Sequence, residues 1–168
     1  MAVLGRAWVY GDNIDTDLLA PGAYMRGSIQ ELARHCLEAI DPHFATQVQP
    51  GDVVVGGEAF GIGSSREQAA EVLKVLGVRA VIAKSFARIF YRNALNLGLP
   101  VLECPQADRI EKGDMLAVDP RSGVVDNRTK AETYQCDPLP DFLMAMIEAG
   151  GLMAQLEAEV AARKENAS

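Results

Sequence analysis

The chain has little positive charge, few cysteines and no long apolar run. Its 16 Lys and Arg face 23 Asp and Glu, a net charge of −7. With no basic surplus to neutralise phosphates, a general nucleic-acid binder is excluded. No stretch approaches the roughly 20 apolar residues that span a bilayer, and Met1 to Tyr10 lacks the long apolar core of a signal peptide. No membrane association is expected, and the expected location is the cytoplasm. Cys36, Cys104 and Cys136 are odd in number, widely spaced and without a Cys-x-x-Cys pair. They suggest neither a secreted disulfide framework nor a cluster-ligand set. His35 and His43 flank an expected helix end without metal-ligand spacing, so no metal is assigned to this chain.

What remains is an ordinary globular composition, 49% apolar and 23% charged over 168 residues, which suits one domain with one substantial core. The expected domain covers 1–168, with a polar tail that frays from about Arg163. Arg6 to Tyr10 reads as a strand and Gly11 to Asp17 as a polar loop rich in turn formers, in which Asp15 is read as turn chemistry. Ser28 and Glu31 form a capping-box pattern for a helix to about Ala39. Val53–Val55, Val78–Ala83 and Leu99–Leu102 are short apolar strands. Between them lie two helical stretches that place Ala69, Val72, Leu73 and Leu76, and then Phe86, Ile89, Phe90 and Ala94, on buried faces. Ser65 with Gln68, and Ser85, are the expected caps of those helices, and Gly77 and Gly98 their stops. Strands alternating with helices over 52–103 imply a β-α-β-α-β unit with a parallel sheet. Asp114–Val118 and Gly123–Asp126 read as a hairpin, followed by a helical region broken at Gly150-Gly151. The fold class is therefore α/β with a mixed sheet.

The candidate chemistry lies in Gly61-Ile62-Gly63-Ser64-Ser65-Arg66. A glycine-rich turn between strand and helix exposes backbone N–H groups and so suits an anion. Ser64 leaves a hydroxyl in the turn, while Ser65 is the better cap. Arg66 brings a guanidinium that grips a carboxylate with two nitrogens. The segment is neither a Walker loop nor a dinucleotide fingerprint. Two further readings stay open on local pattern alone: a capped turn with a solvated Arg, and a stand-alone carboxylate- or phosphate-binding module.

Three segments in order resemble the aconitase superfamily. Gly61 to Ala69 resembles its Gly-x-Gly-Ser-Ser-Arg-Glu-His/Gln-Ala segment, Lys84 to Asn93 its Ser-Phe-Ala-x-Ile-Phe-x-x-Asn helix, and Gly11 to Asp17 its opening loop. Order, spacing and length are similar to the separately encoded small subunits of its two-subunit dehydratases. The resemblance implies a swivelling β/β/α domain and a hydro-lyase activity completed by a large subunit that carries a 4Fe–4S cluster, with no cofactor on this chain. It implies a hydroxy-di- or tricarboxylate substrate: 2- and 3-isopropylmalate, interconverted in leucine biosynthesis, or homocitrate, homoaconitate or dimethylmalate in related forms. By position it makes Ser64 the catalytic base, Asp17 an active-site carboxylate that orients other groups, and Ser65 and Arg66 contacts to a substrate carboxylate. Tyr24-Met25-Arg26-Gly27 falls in the substrate-selecting loop, where Arg26 suits an extra carboxylate, whereas an isopropyl group calls for an apolar residue. Ala59, Ile62 and Gln68 depart from the commoner Asn, Cys and His without touching the Ser-Ser-Arg core.

Overall fold

In the computed structural model, which describes residues 4–167, the strands are β1 (Leu4–Val9), β2 (Val53–Val55), β3 (Ala80–Ala83), β4 (Val101–Glu103), β5 (Met115–Asp119), β6 (Val124–Asn127) and β7 (Glu132–Gln135). The helices are α1 (Thr16–Leu19), α2 (Ile29–Ala33), α3 (Phe44–Gln47), α4 (Gln68–Val75), α5 (Arg88–Asn96), α6 (Asp141–Glu148) and α7 (Leu152–Ala167). Residues 1–3 and 168 of the expected domain lie outside the described residues. All seven strands join one sheet in the order β4-β3-β2-β1-β5-β6-β7.

The sheet changes character at β1. Its second half, Ala7–Val9, pairs parallel with β2, while its first half, Leu4–Arg6, pairs antiparallel with β5. On the parallel side β2 and β3 are Val, Ala and Ile throughout and buried at every position, as strands covered on both faces must be. The antiparallel side, β5-β6-β7, has one solvated face, and β6 alternates half-buried and buried residues. The expected β-α-β-α-β unit is β2-α4-β3-α5-β4, and the expected hairpin is β5-β6. β7 is an addition. It turns back through Ala131, at φ 56°, and buries Tyr134, whose hydroxyl accepts from Asn127 Nδ2 at 3.2 Å.

Several local expectations are corrected. The helix that begins at Ser28 is capped there, Glu31 N donating to Ser28 Oγ at 3.1 Å, but it ends at Ala33. Four residues on, Leu37 adopts φ 61° and gives its N–H to Leu18 O, which redirects the chain. Ser65 does not cap α4: the helix starts at Gln68 with Glu67 before it and no side-chain cap. Ser85 does not cap α5, whose N-cap is Ala87. Ile89 faces solvent rather than the core, while Phe90 and Ala94 are buried. Residues 163–167 of the expected polar tail are exposed and helical, at the end of α7.

One buried charge ties the N-terminal strand to the turn before β2. Asp52 accepts from Arg6 N (3.1 Å), Trp8 Nε1 (3.0 Å) and Gln49 N (2.9 Å). Gly77 at φ 87° and Gly98 at φ 83° end their helices in the left-handed conformation.

Candidate active site

The loops that follow β1 and β3 converge on the serine segment after β2, at one end of the parallel strands. The opening loop is laced to the chain after β2: Gly57 N donates to Gly11 O, Asn13 N to Glu58 O and Glu58 N to Asp12 Oδ1. A Cβ on Gly57 would lie 2.0 Å from Asp12 Oδ1, so only glycine admits this approach. The lacing continues with Gly61 N to Ile14 O at 2.7 Å and Thr16 N to Ile62 O at 2.8 Å. From the other side, Ser85 Oγ accepts from Ala59 N and donates to Glu58 Oε2, and Ala87 N donates to Phe60 O. Ser85 thus braces the serine loop instead of capping a helix.

Ser64 is exposed at the tip of this loop. Its hydroxyl lies 3.3 Å from Thr16 Oγ1, with either oxygen able to donate. Thr16, which sequence reasoning passed over, joins the candidate site through this contact. It is buried at the start of α1, between Asp15, which caps that helix through Leu18 N, and Asp17. A hydroxyl flanked by two acidic residues in a turn was the available signal. The backbone N–H groups of residues 63–68 find no acceptor among the described residues. They form a row of free donors leading into α4, which suits an anion as the sequence suggested. Ser65 is exposed and its hydroxyl makes no hydrogen bond among the described residues.

Asp17 and Arg66, 49 residues apart in sequence, meet directly. Arg66 Nη1 donates to Asp17 Oδ1 at 2.8 Å and to Ala20 O at 2.9 Å. The same Asp17 oxygen accepts from Gly22 N at 3.0 Å. The Arg66 guanidinium, followed by the Gly22 N–H, holds the Asp17 carboxyl below its ordinary range. Only Nη1 is used, so Nη2 and Nε make no hydrogen bond among the described residues and are free for a carboxylate.

Arg26 is not drawn into this group. It is exposed and forms no ion pair or hydrogen bond among the described residues. Its loop is nevertheless pinned, since Tyr24 stacks on His35 with ring centroids 3.5 Å apart and planes 2° from parallel. Among the described residues no three His, Cys, Asp or Glu side chains converge to hold a metal ion. No helix among them is long and apolar enough to cross a membrane.

A mixed sheet carrying this braced serine–arginine loop defines an aconitase-type domain, and residues 16–107 match the family described as the aconitase C-terminal domain. The chain is 55% identical over 151 residues to the 3-isopropylmalate dehydratase small subunit 1 of Archaeoglobus fulgidus, covering 89% of this chain and 94% of that one. It is 54% identical to the 3-isopropylmalate dehydratase small subunit of Methanosarcina mazei, over 89% of this chain and 93% of that one. The crystal structure of 3-isopropylmalate dehydratase (leuD) from Methanocaldococcus jannaschii superposes with a TM-score of 0.93 at 42% identity, covering 99% of both chains. The chain belongs to the family of 3-isopropylmalate dehydratase small subunits within the aconitase superfamily.

Proposed function

We propose that this chain is the small subunit of a 3-isopropylmalate dehydratase, a hydro-lyase of leucine biosynthesis that works in the cytoplasm and gains activity only with a large subunit. The observation that carries the reading is the pairing of an exposed Ser64 hydroxyl, backed by Thr16, with a half-used Arg66 guanidinium on one braced loop. The reaction interconverts 2- and 3-isopropylmalate by removing and restoring water. A 4Fe–4S cluster, when bound on the large subunit, supplies Lewis acidity toward the leaving hydroxyl.

This chain's residues serve the proton and the carboxylate. Ser64 takes the proton from the carbon next to a carboxylate. A serine oxygen is a poor base unless its charge is stabilised; Thr16 Oγ1 donating across 3.3 Å and the free N–H row of residues 63–68 support that role. Negative charge then spreads into the substrate carboxylate, which the Nη2 and Nε of Arg66 and the Ser65 hydroxyl grip. Asp17 holds Arg66 at its other nitrogen and so fixes the direction of the fork.

A second reading of the substrate rests on Arg26. A free guanidinium in the substrate-selecting loop suits an additional carboxylate, as in homocitrate or homoaconitate. Reconstitution with a cluster-loaded large subunit tests both. The chain alone should show no dehydratase activity. In the complex, Ser64→Ala should lower kcat by about 10²- to 10⁴-fold with subunit association unchanged, and full activity would refute Ser64 as the base. Arg26→Ala should leave kcat/KM on isopropylmalate nearly intact. A selective loss on the tricarboxylates, in an enzyme that prefers them, would establish the second reading instead.

A further inference from the structure

Two buried thiols that the proposed chemistry leaves unused meet where the edges of the sheet curl together. β4 and β7 are its outermost strands, and they run antiparallel to one another: β4 follows β1 through parallel pairings, and β7 is reached from β1 through three antiparallel ones. At their C-terminal ends Asp137 N donates to Glu103 O at 2.9 Å. In antiparallel register this sets residue 103 opposite 137, and therefore Cys104 opposite Cys136. Their own N–H groups point away from each other, Cys104 to Ala83 O and Cys136 to Gly123 O, each at 2.8 Å. That is the pattern of a non-hydrogen-bonded cross-strand pair, in which Cα atoms lie about 4.5 Å apart, inside the range of roughly 4.4–6.8 Å that a disulfide requires. Each thiol shifts the titration of the other, and both are buried.

We propose that Cys104 and Cys136 are a redox modification site, converted by a hydroperoxide into an intrachain disulfide across the seam of the sheet. The two thiols differ in readiness. The neighbouring Cys136 thiol lowers the Cys104 pKa to about 7, with help from the backbone N–H of Gln106 and against the effect of burial, and the Cys104 sulfur also lies 3.8 Å from Gln106 Oε1. The same contact, with burial, pushes Cys136 above the thiol range. Cys104 is therefore the attacking thiolate. Its sulfur displaces hydroxide from hydrogen peroxide, forming an S–O bond as the O–O bond breaks. The Cys136 sulfur then attacks Cys104, the S–S bond forms, and the departing hydroxide takes the Cys136 proton. Two thiols lose two electrons, the peroxide is reduced, and two waters leave. Cys36 is an internal control: it is buried, has no thiol neighbour, and burial raises its pKa. The closed loop would contain β5, β6 and β7, so the antiparallel half of the sheet is what the bond ties down.

The test uses the full-length reduced chain, exposed to graded hydrogen peroxide, blocked with N-ethylmaleimide and mapped by peptide mass. The expected product is one pair of peptides joined through Cys104 and Cys136, lighter by two hydrogens than their sum, with Cys36 alone alkylated. The thermal midpoint should rise by about 10 °C for a loop of this length and fall back with dithiothreitol. Cys36→Ser should change neither result. Three alkylated cysteines at every peroxide dose, a sulfinic acid at Cys104 beside an alkylated Cys136, or a cross-link between chains would each overturn the proposal. Because the wild-type chain carries the decisive readout, it does not depend on a cysteine variant that folds.

Discussion

Adding one methyl group at Gly61 should unseat the serine loop. Gly61 lies at φ 85°, where an L side chain costs about 1–2 kcal/mol. A Cβ built there falls 2.2 Å from Phe90 Cγ, 2.3 Å from Phe90 Cβ and 2.8 Å from its Cδ1. Phe90 has nowhere to retreat. It is 2% exposed, packs edge-on against Phe60 at 5.3 Å and stacks against Phe86 at 6.2 Å. Forcing a methyl group into such a core costs roughly a further 1–3 kcal/mol. Gly61→Ala should therefore lose about 2–5 kcal/mol, a fall in thermal midpoint of about 10 °C for a domain of this size. Gly113 isolates the backbone share, since it has φ 90° with nothing within 4 Å of an added Cβ; Gly113→Ala should lose only about 1–2 kcal/mol. The assay is thermal and urea denaturation of both variants, followed by circular dichroism. Equal losses within about 0.5 kcal/mol would refute the overlap with Phe90 as the cause. In the reconstituted enzyme, Gly61→Ala should also depress kcat, because Ser64 stands three residues along the same loop.

Two other perturbations probe the charges. Asp52→Ala leaves Trp8 Nε1 and the N–H groups of Arg6 and Gln49 without their acceptor, so stability should drop by about 3 kcal/mol or more; a urea titration followed on the fluorescence of Trp8, the only tryptophan, checks it, and an unchanged midpoint refutes it. Asp17 titrates below its ordinary value because of Arg66 and Gly22 N; its folded value lies under its unfolded one, so the pair's contribution is present above the unfolded value and is lost as pH falls through the lowered one. A carboxyl NMR titration of the full chain should thus find Asp17 still ionised at pH values where free aspartates protonate, and Arg66→Gln should return it to the ordinary range; an unmoved midpoint would separate the two residues.

The parallel half of the sheet was legible because its signals are local. Val53–Val55 and Ala80–Ala83 are unbroken apolar runs, and Gly77 and Gly98 mark the ends of α4 and α5. The antiparallel half was harder. β7 is polar on one face and only Tyr134 is fully buried, so its strand character comes from pairing with β6 rather than from its own pattern. The helix starts were misread for a related reason. Ser65 and Ser85 have the right chemistry for caps, but long-range partners decide where they act: Ser85 is claimed by Ala59 and Glu58. In the site, the glycine-rich serine turn was recognisable from its residues as suited to an anion, and it was the resemblance over three segments that singled it out. The Thr16–Ser64 contact was not recognisable, because it joins residues 48 apart whose proximity depends on Gly61 and Thr16 donating into the opposite loop.

The position of β1 also has a consequence for how the chain assembles. It is the middle strand of seven, and it holds the parallel half with its last three residues and the antiparallel half with its first three. Its partners lie far along the chain, beginning at Val53 on one side and Met115 on the other. The strand nearest the N-terminus must therefore wait for both before the sheet is whole, and closing such distant contacts slows folding. Six residues act as a spine between a parallel and an antiparallel three-stranded half, and the opening loop that braces Ser64 begins where that spine ends.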